Sequence, residues 1–183
     1  LPLPEDEADW GKLSVVFATA KGNVRRNSMD AFANIPSNGK FAMRFEEGDE
    51  AKRTSDRLIG VALLEATDDV LLASRQGKAI RFAGDEVREF TSRTSTGVRG
   101  MLLKGDDEVI SLSILHRVGT SSEEREEYVR FAPWKGEKDG EPTMSAERYA
   151  ELQAREQFIL TVCANGYGKL SSAYEYRRTG RGG

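Results

Sequence analysis

A ten-residue pattern recurs three times along this chain, and it constrains the fold more than any other feature, because a fixed period means that one supersecondary unit is being copied. The copies lie at 17–26, 72–81 and 161–170. Each has an apolar, alternating run, then a polar residue and a glycine (Gly22, Gly77, Gly166), then a short run containing at least one base. This pattern predicts a β-hairpin whose glycine supplies the positive φ of the turn. The copies continue in step, since an aromatic residue is followed seven positions later by glycine in Phe32 to Gly39, Phe90 to Gly97 and Tyr176 to Gly183. After that glycine, 40–50 and 98–108 each read as a strand ending in a Gly-Asp turn, and apolar strands at 58–63 and 109–114 close the unit. The unit is therefore about four strands.

The spacing also locates an insertion. Gly22 to Gly77 is 55 residues and Gly77 to Gly166 is 89, an excess of 34. The odd stretch is 119–157, rich in Glu and Arg, where Ser121 and Glu124 form a capping-box pattern and Ser145 is placed to cap a helix over 146–156. Two short helices are expected. Tyr149 and Leu152 offer only a thin apolar stripe, which puts the insertion on the surface, with Pro133 and Trp134 packing locally and 135–140 disordered. Four strands at a period of about 55 suggest blades that stack radially, each burying its faces on its neighbours. The expected fold class is all-β and propeller-like, with blades at 10–64, 65–118 and 158–183, the last incomplete. Three blades do not close a ring, so the chain reads as part of a larger domain.

Composition removes several functions. One Cys (Cys163) and one His (His116) exclude a disulfide framework, a zinc site of nitrogen and sulfur ligands and a His-Cys catalytic pair. The longest apolar runs are far below the roughly 20 residues of a membrane helix, so no membrane partner is expected. Residues 1–7 lack an initiator Met, a basic region and an apolar region, so they are no signal peptide, and a cytoplasmic chain cut from something larger is expected. Cys163, alternating with Val162, reads as a small core residue, and His116, at the end of an apolar strand, as a partly buried packing residue. The acidic runs 46–50 and 106–108 miss the EF-hand spacing and fit turns better.

The combination of Ala18, Gly22, Val24, Arg25 and Arg26, then Thr96-Gly97-Val98-Arg99-Gly100, then Asn165-Gly166-Tyr167-Gly168-Lys169 resembles the C-terminal domain of the A subunit of DNA gyrase over nearly the whole chain. The resemblance implies a β-pinwheel of six blades with double-stranded DNA wrapped on its outer rim. It implies a non-catalytic module whose partners are the remainder of the gyrase A protein and the gyrase B protein in a heterotetramer. Those partners supply ATP-dependent strand passage and negative supercoiling, so ATP and Mg are bound elsewhere and no cofactor is expected here. The family's signature box, Gln-Arg-Arg-Gly-Gly-Lys-Gly, is absent; residues 177–183 occupy the analogous loop of a later blade. The topoisomerase IV domain is the alternative, and the Thr-Gly-Val-Arg-Gly run favours gyrase. None of the five Tyr (128, 149, 167, 174, 176) sits in a matching active-site motif.

A net charge of -3 speaks against nucleic acid until its distribution is examined. Residues 1–9 carry -4 and 119–157 another -4, leaving +5 on the repeats. Their bases recur at corresponding places: Lys21, Arg25 and Arg26, then Lys78 and Arg81, then Lys169 around the hairpin turns; Lys40 and Arg44, then Arg99 and Lys104 in the following strand; and Arg177, Arg178 and Arg181 at the end. Recurrence aligns them along one rim as candidate phosphate contacts, which need cations along a track and no base reading. Thr19, Ser74, Ser171 and Ser172 could add hydroxyl contacts. Solvated strand faces are the alternative for any one base. Two other functions remain open, a protein-interaction propeller docking through 119–157 and a propeller enzyme, for which the sequence offers no convergent carboxylates.

Overall fold

The computed structural model describes residues 1–45, 55–136 and 139–183. They form two compact units, 1–116 with 178–183, and 117–177.

The first unit is built from two repeats. β1 (Ser14–Thr19) and β2 (Asn23–Ser28) form the first hairpin, with Val16 opposite Arg26 and Ala18 opposite Val24. β3 (Leu58–Leu64) lies antiparallel on the other side of β1. β4 (Asp68–Ser74) and β5 (Ala79–Ala83) form the second hairpin, with β6 (Val98–Arg99) and β7 (Val109–His116) following. β7 pairs with β4 as β3 does with β1. The predicted turn glycines hold, with φ of 83° at Gly22, 84° at Gly77 and 87° at Gly166. The two sheets face one another across a core in which Val16, Val24, Val70, Leu72 and Phe82 are completely buried. Each such side chain contributes about 1.5–3 kcal/mol relative to exposure.

The first sheet has four strands, in the order β3-β1-β2-β6, but its fourth strand comes from the second repeat. Two departures from the sequence reading follow. The expected strand at 98–108 is only Val98–Arg99, leading to the turn at Gly105, and 40–45 form no strand; the rest of 40–50 lies outside the described residues. The repeat register also differs. The amide of Phe90 donates to Arg26 O and that of Thr179 to Arg81 O, so Phe90 corresponds to Thr179 rather than to Tyr176.

The second unit contains the two expected helices, α1 (Ser122–Phe131) and α2 (Ala146–Ala154), and the third hairpin, β8 (Phe158–Val162) with β9 (Gly168–Ser172). The capping box is formed in both directions, Glu124 N to Ser121 Oγ at 3.1 Å and Ser121 N to Glu124 Oε2 at 3.0 Å. Ser145 Oγ caps α2 through Arg148 N. Of the 135–140 stretch expected to lack order, 137 and 138 lie outside the described residues. The insertion is more than a surface attachment. Tyr128, Ala132 and Leu152 from it are buried together with Tyr174 beyond β9, and the Tyr128 ring centroid lies 5.1 Å from those of Tyr149 and Tyr174. Tyr128 Oη donates to Glu156 at 2.8 Å, and Trp134 Nε1 to the same carboxylate at 3.0 Å. Cys163 is exposed rather than in a core. In the first unit His116 is exposed too, held to Asp68 at 2.8 Å through Nδ1.

Candidate nucleic-acid interface

Alternation along β2 sends its two adjacent arginines to opposite faces of the sheet, and neither is exposed. Arg26 shares the face of Val16 and Val24 and is half-buried. Arg25 points to the opposite face and is completely buried, its guanidinium 5.2 Å from the Phe17 ring. Its Nε donates to Asn27 Oδ1 at 2.8 Å, its Nη1 to the carbonyls of Arg93 and Ser95 at 2.7 and 2.9 Å, and its Nη2 to the carbonyl of Ala42. Asn27 reaches the carbonyl of Phe90 in the same loop. Arg25 is therefore a fastener of the 90–95 loop, and the expectation that it contacts phosphate is corrected: the side chain is enclosed and its donors are spent on the protein's own oxygens. Arg81 is corrected in the same way. Its side chain is 10% exposed and its Nε pairs with the buried Asp69 at 2.9 Å.

The bases at the hairpin-turn end are exposed but mixed with acid. Lys21, Arg57 and Arg75 line a cleft of about 940 Å³ together with Asp56, Asp106, Asp107 and Glu108. Glu108 binds both Arg57, at 2.8 Å, and Arg75, two bases that the repeat pattern does not mark. Burial works against the charge of Asp107, but bonds from Ser74 and from the amides of Gln76 and Glu108 hold its carboxyl below the usual range. Lys78 and Lys104 sit in turns next to these carboxylates. With four carboxylates interleaved among these five cations and Glu108 paired to two of them, the positive field a phosphate track needs is largely offset at this end. Lys40 turns its Nζ back to the carbonyls of Asn34 and Ala31, at 3.0 and 3.5 Å, and Arg44 is exposed.

A basic edge does form where the first sheet ends in β6. Segment 178–183 runs beside β5 and on to β6, pairing at Arg81 with Arg178 and at Met101 with Gly182. Arg181 Nη1 donates to the carbonyl of Arg99, and its amide to Glu86 Oε2 at 2.8 Å. Arg99, Arg178 and Arg181 are all exposed or half-exposed. Three predicted bases, distant in sequence, are thus brought along one edge of the first unit. In the second unit Lys169 and Arg177 are exposed, while Ser171 and Ser172 are buried, as are Thr19 and Ser74 in the first; these hydroxyls are corrected from phosphate contacts to interior groups. Arg93, unmarked by the sequence, also lies on the first unit, in the 90–95 loop.

Antiparallel blades, the second lending a strand to the sheet of the first, define a propeller-type module. The chain belongs to the family described as DNA gyrase C-terminal domain, beta-propeller, whose sequence model matches residues 14–51, 68–116 and 157–183. The unmatched interval between the last two is the helical insertion. The chain is 45% identical over its whole length to the DNA gyrase A protein of Granulibacter bethesdensis and 44% to that of Rickettsia bellii, spanning 21% of each relative. It is 35% identical to the Salmonella typhimurium gyrase A protein over 95% of the chain and 14% of that relative. The chain thus spans about a fifth of the length of the first two. Among solved structures it resembles the C-terminal domain of DNA topoisomerase IV (TM-score 0.65, 17% identity, all of this chain and 42% of that one). It also resembles the DNA gyrase A C-terminal domain (TM-score 0.61, 19% identity, 94% and 42%), and at these identities the likeness establishes the fold. Among the described residues no helix is long and apolar enough to cross a membrane.

Proposed function

We propose that this chain is a non-catalytic DNA-binding and wrapping module acting within a gyrase A protein in the bacterial cytoplasm, at the nucleoid. It holds a duplex segment against the outer edge of its blades and presents it for strand passage and negative supercoiling. Its partners are the remainder of the gyrase A protein and the gyrase B protein, which bind ATP and Mg and do the chemistry. The observation that carries the reading is the basic edge of Arg99, Arg178 and Arg181 on a fold whose family model is that of the gyrase C-terminal domain. The relatives at 44–45% identity, both gyrase A proteins, favour that assignment over the topoisomerase IV domain.

The mechanism is mechanical. Bending 20–30 base pairs costs about 1–6 kcal/mol, so several phosphate contacts are needed to offset it. Exposed guanidiniums on an edge supply them without reading sequence. The test is binding to a duplex of about 40 base pairs across a range of salt. Substituting Arg99, Arg178 and Arg181 together by glutamine lowers the slope of log K against log salt by about 0.9 for each phosphate no longer neutralised, up to about 2.7 in all. An unchanged slope removes the edge from the interface.

A further inference from the structure

The loop that Arg25 fastens has a charge with no counterpart among the described residues. Arg93 is half-buried, its Nη1 is shielded from solvent, and that nitrogen has no hydrogen-bond partner. Arg25, whose Nη1 holds the Arg93 carbonyl, bonds only to neutral oxygens, those of Asn27, Arg93, Ser95 and Ala42. Among the described residues, no carboxylate forms an ion pair with either guanidinium. Burial and the neighbouring charge of Arg93 lower the pKa of Arg25 to about 10, still charged at neutral pH. Two positive groups thus lie together in a partly desolvated place, an arrangement that an anion relieves.

The surrounding loop has groups suited to such an anion. Thr91, Ser92 and Thr94 are exposed; Ser92 Oγ and Thr94 Oγ1 lie 2.8 Å apart, and Thr94 N donates to Ser92 Oγ at 3.2 Å. Arg25 binds the carbonyls on both sides of Thr94, which ties up these acceptors and leaves exposed hydroxyls in the loop beside the half-buried Arg93. We propose that the 91–95 loop is a phosphate seat for the nucleic-acid backbone, with Arg93 as its cation, Ser92 and Thr94 as hydroxyl donors and Arg25 as the positioning residue beneath. This rests on the DNA-binding reading above and adds a site built on residues other than Arg99, Arg178 and Arg181. A phosphodiester fits because guanidinium and hydroxyl donors share one short loop and no carboxylate among the described residues pairs with its cation.

Two measurements test it on the protein. In duplex binding across salt, Arg93→Gln lowers the slope of log K against log salt by about 0.9 and weakens binding equally for unrelated sequences, whereas Arg93→Lys keeps the slope. In hydrogen exchange, inorganic phosphate slows the amides of 91–97 in the unsubstituted protein and not in Arg93→Gln. Duplex binding with an unchanged slope in Arg93→Gln and no phosphate protection overturns the seat and leaves the DNA reading standing. Phosphate protection without any duplex binding overturns the DNA reading and, with it, the assignment of the seat to a nucleic-acid backbone.

Discussion

Gly97→Ala lowers the stability of the first unit by about 3–5 kcal/mol, because it combines left-handed backbone strain with a collision that cannot relax locally. Gly97 has φ of 92°, and a Cβ there would lie 2.3 Å from the carbonyl oxygen of Val24. That carbonyl belongs to β2 immediately beside the pairing of Val24 with Val98, so relief requires β6 to withdraw from the sheet. Gly39 provides the comparison. It has φ of 83° with nothing within 4 Å of the added carbon, and Gly39→Ala carries the conformational cost alone, about 1–2 kcal/mol. Urea unfolding of the two variants measures the difference, and equal costs defeat the argument from close approach.

Arg25→Met has an effect of similar size by a different route. It keeps the apolar packing against Phe17 and removes four donated hydrogen bonds, leaving the carbonyls of Ala42, Arg93 and Ser95 to find other partners. Each buried acceptor left unsatisfied costs about 1–3 kcal/mol, partly recovered as the loop opens to water, so a net loss of about 3–5 kcal/mol is expected. Arg99→Met, at an exposed position, changes stability by less than about 0.5 kcal/mol. Denaturant midpoints for the pair decide the matter: if Arg25→Met is as mild as Arg99→Met, the loop does not depend on its fastener.

The hairpins are legible in the sequence because a turn glycine between alternating runs is a local signal, and helix caps are local as well. What the sequence hides depends on contacts between distant segments. Arg25 and Arg26 are adjacent bases on one strand, and only the arrival of residues 90–95, more than sixty positions later, buries the first. β6 is two residues long, too short to show alternation, and its partner is the preceding repeat. The aromatic-to-glycine spacing keeps a constant offset without marking equivalent positions, since backbone bonding puts Phe90 in register with Thr179. Tyr128, Leu152 and Tyr174 lie on three elements, each burying only one or two side chains in common, so no single stripe announces their shared core. Charge marks Arg99, Arg178 and Arg181 one by one, but it does not separate their edge from the acid-neutralised turns around Glu108.

The donation of β6 to the first sheet sets an order on synthesis. As the chain leaves the ribosome, β1 and β2 pair at once, yet the outer edge of β2 has no neighbour until Glu89 and Phe90, and then Val98 and Arg99, emerge roughly 60–70 residues later. At translation rates of about 5–20 residues per second this is an interval of roughly 3–14 s. During that time a row of unpaired amides and carbonyls faces solvent, and nascent strands of neighbouring polysomes compete for it.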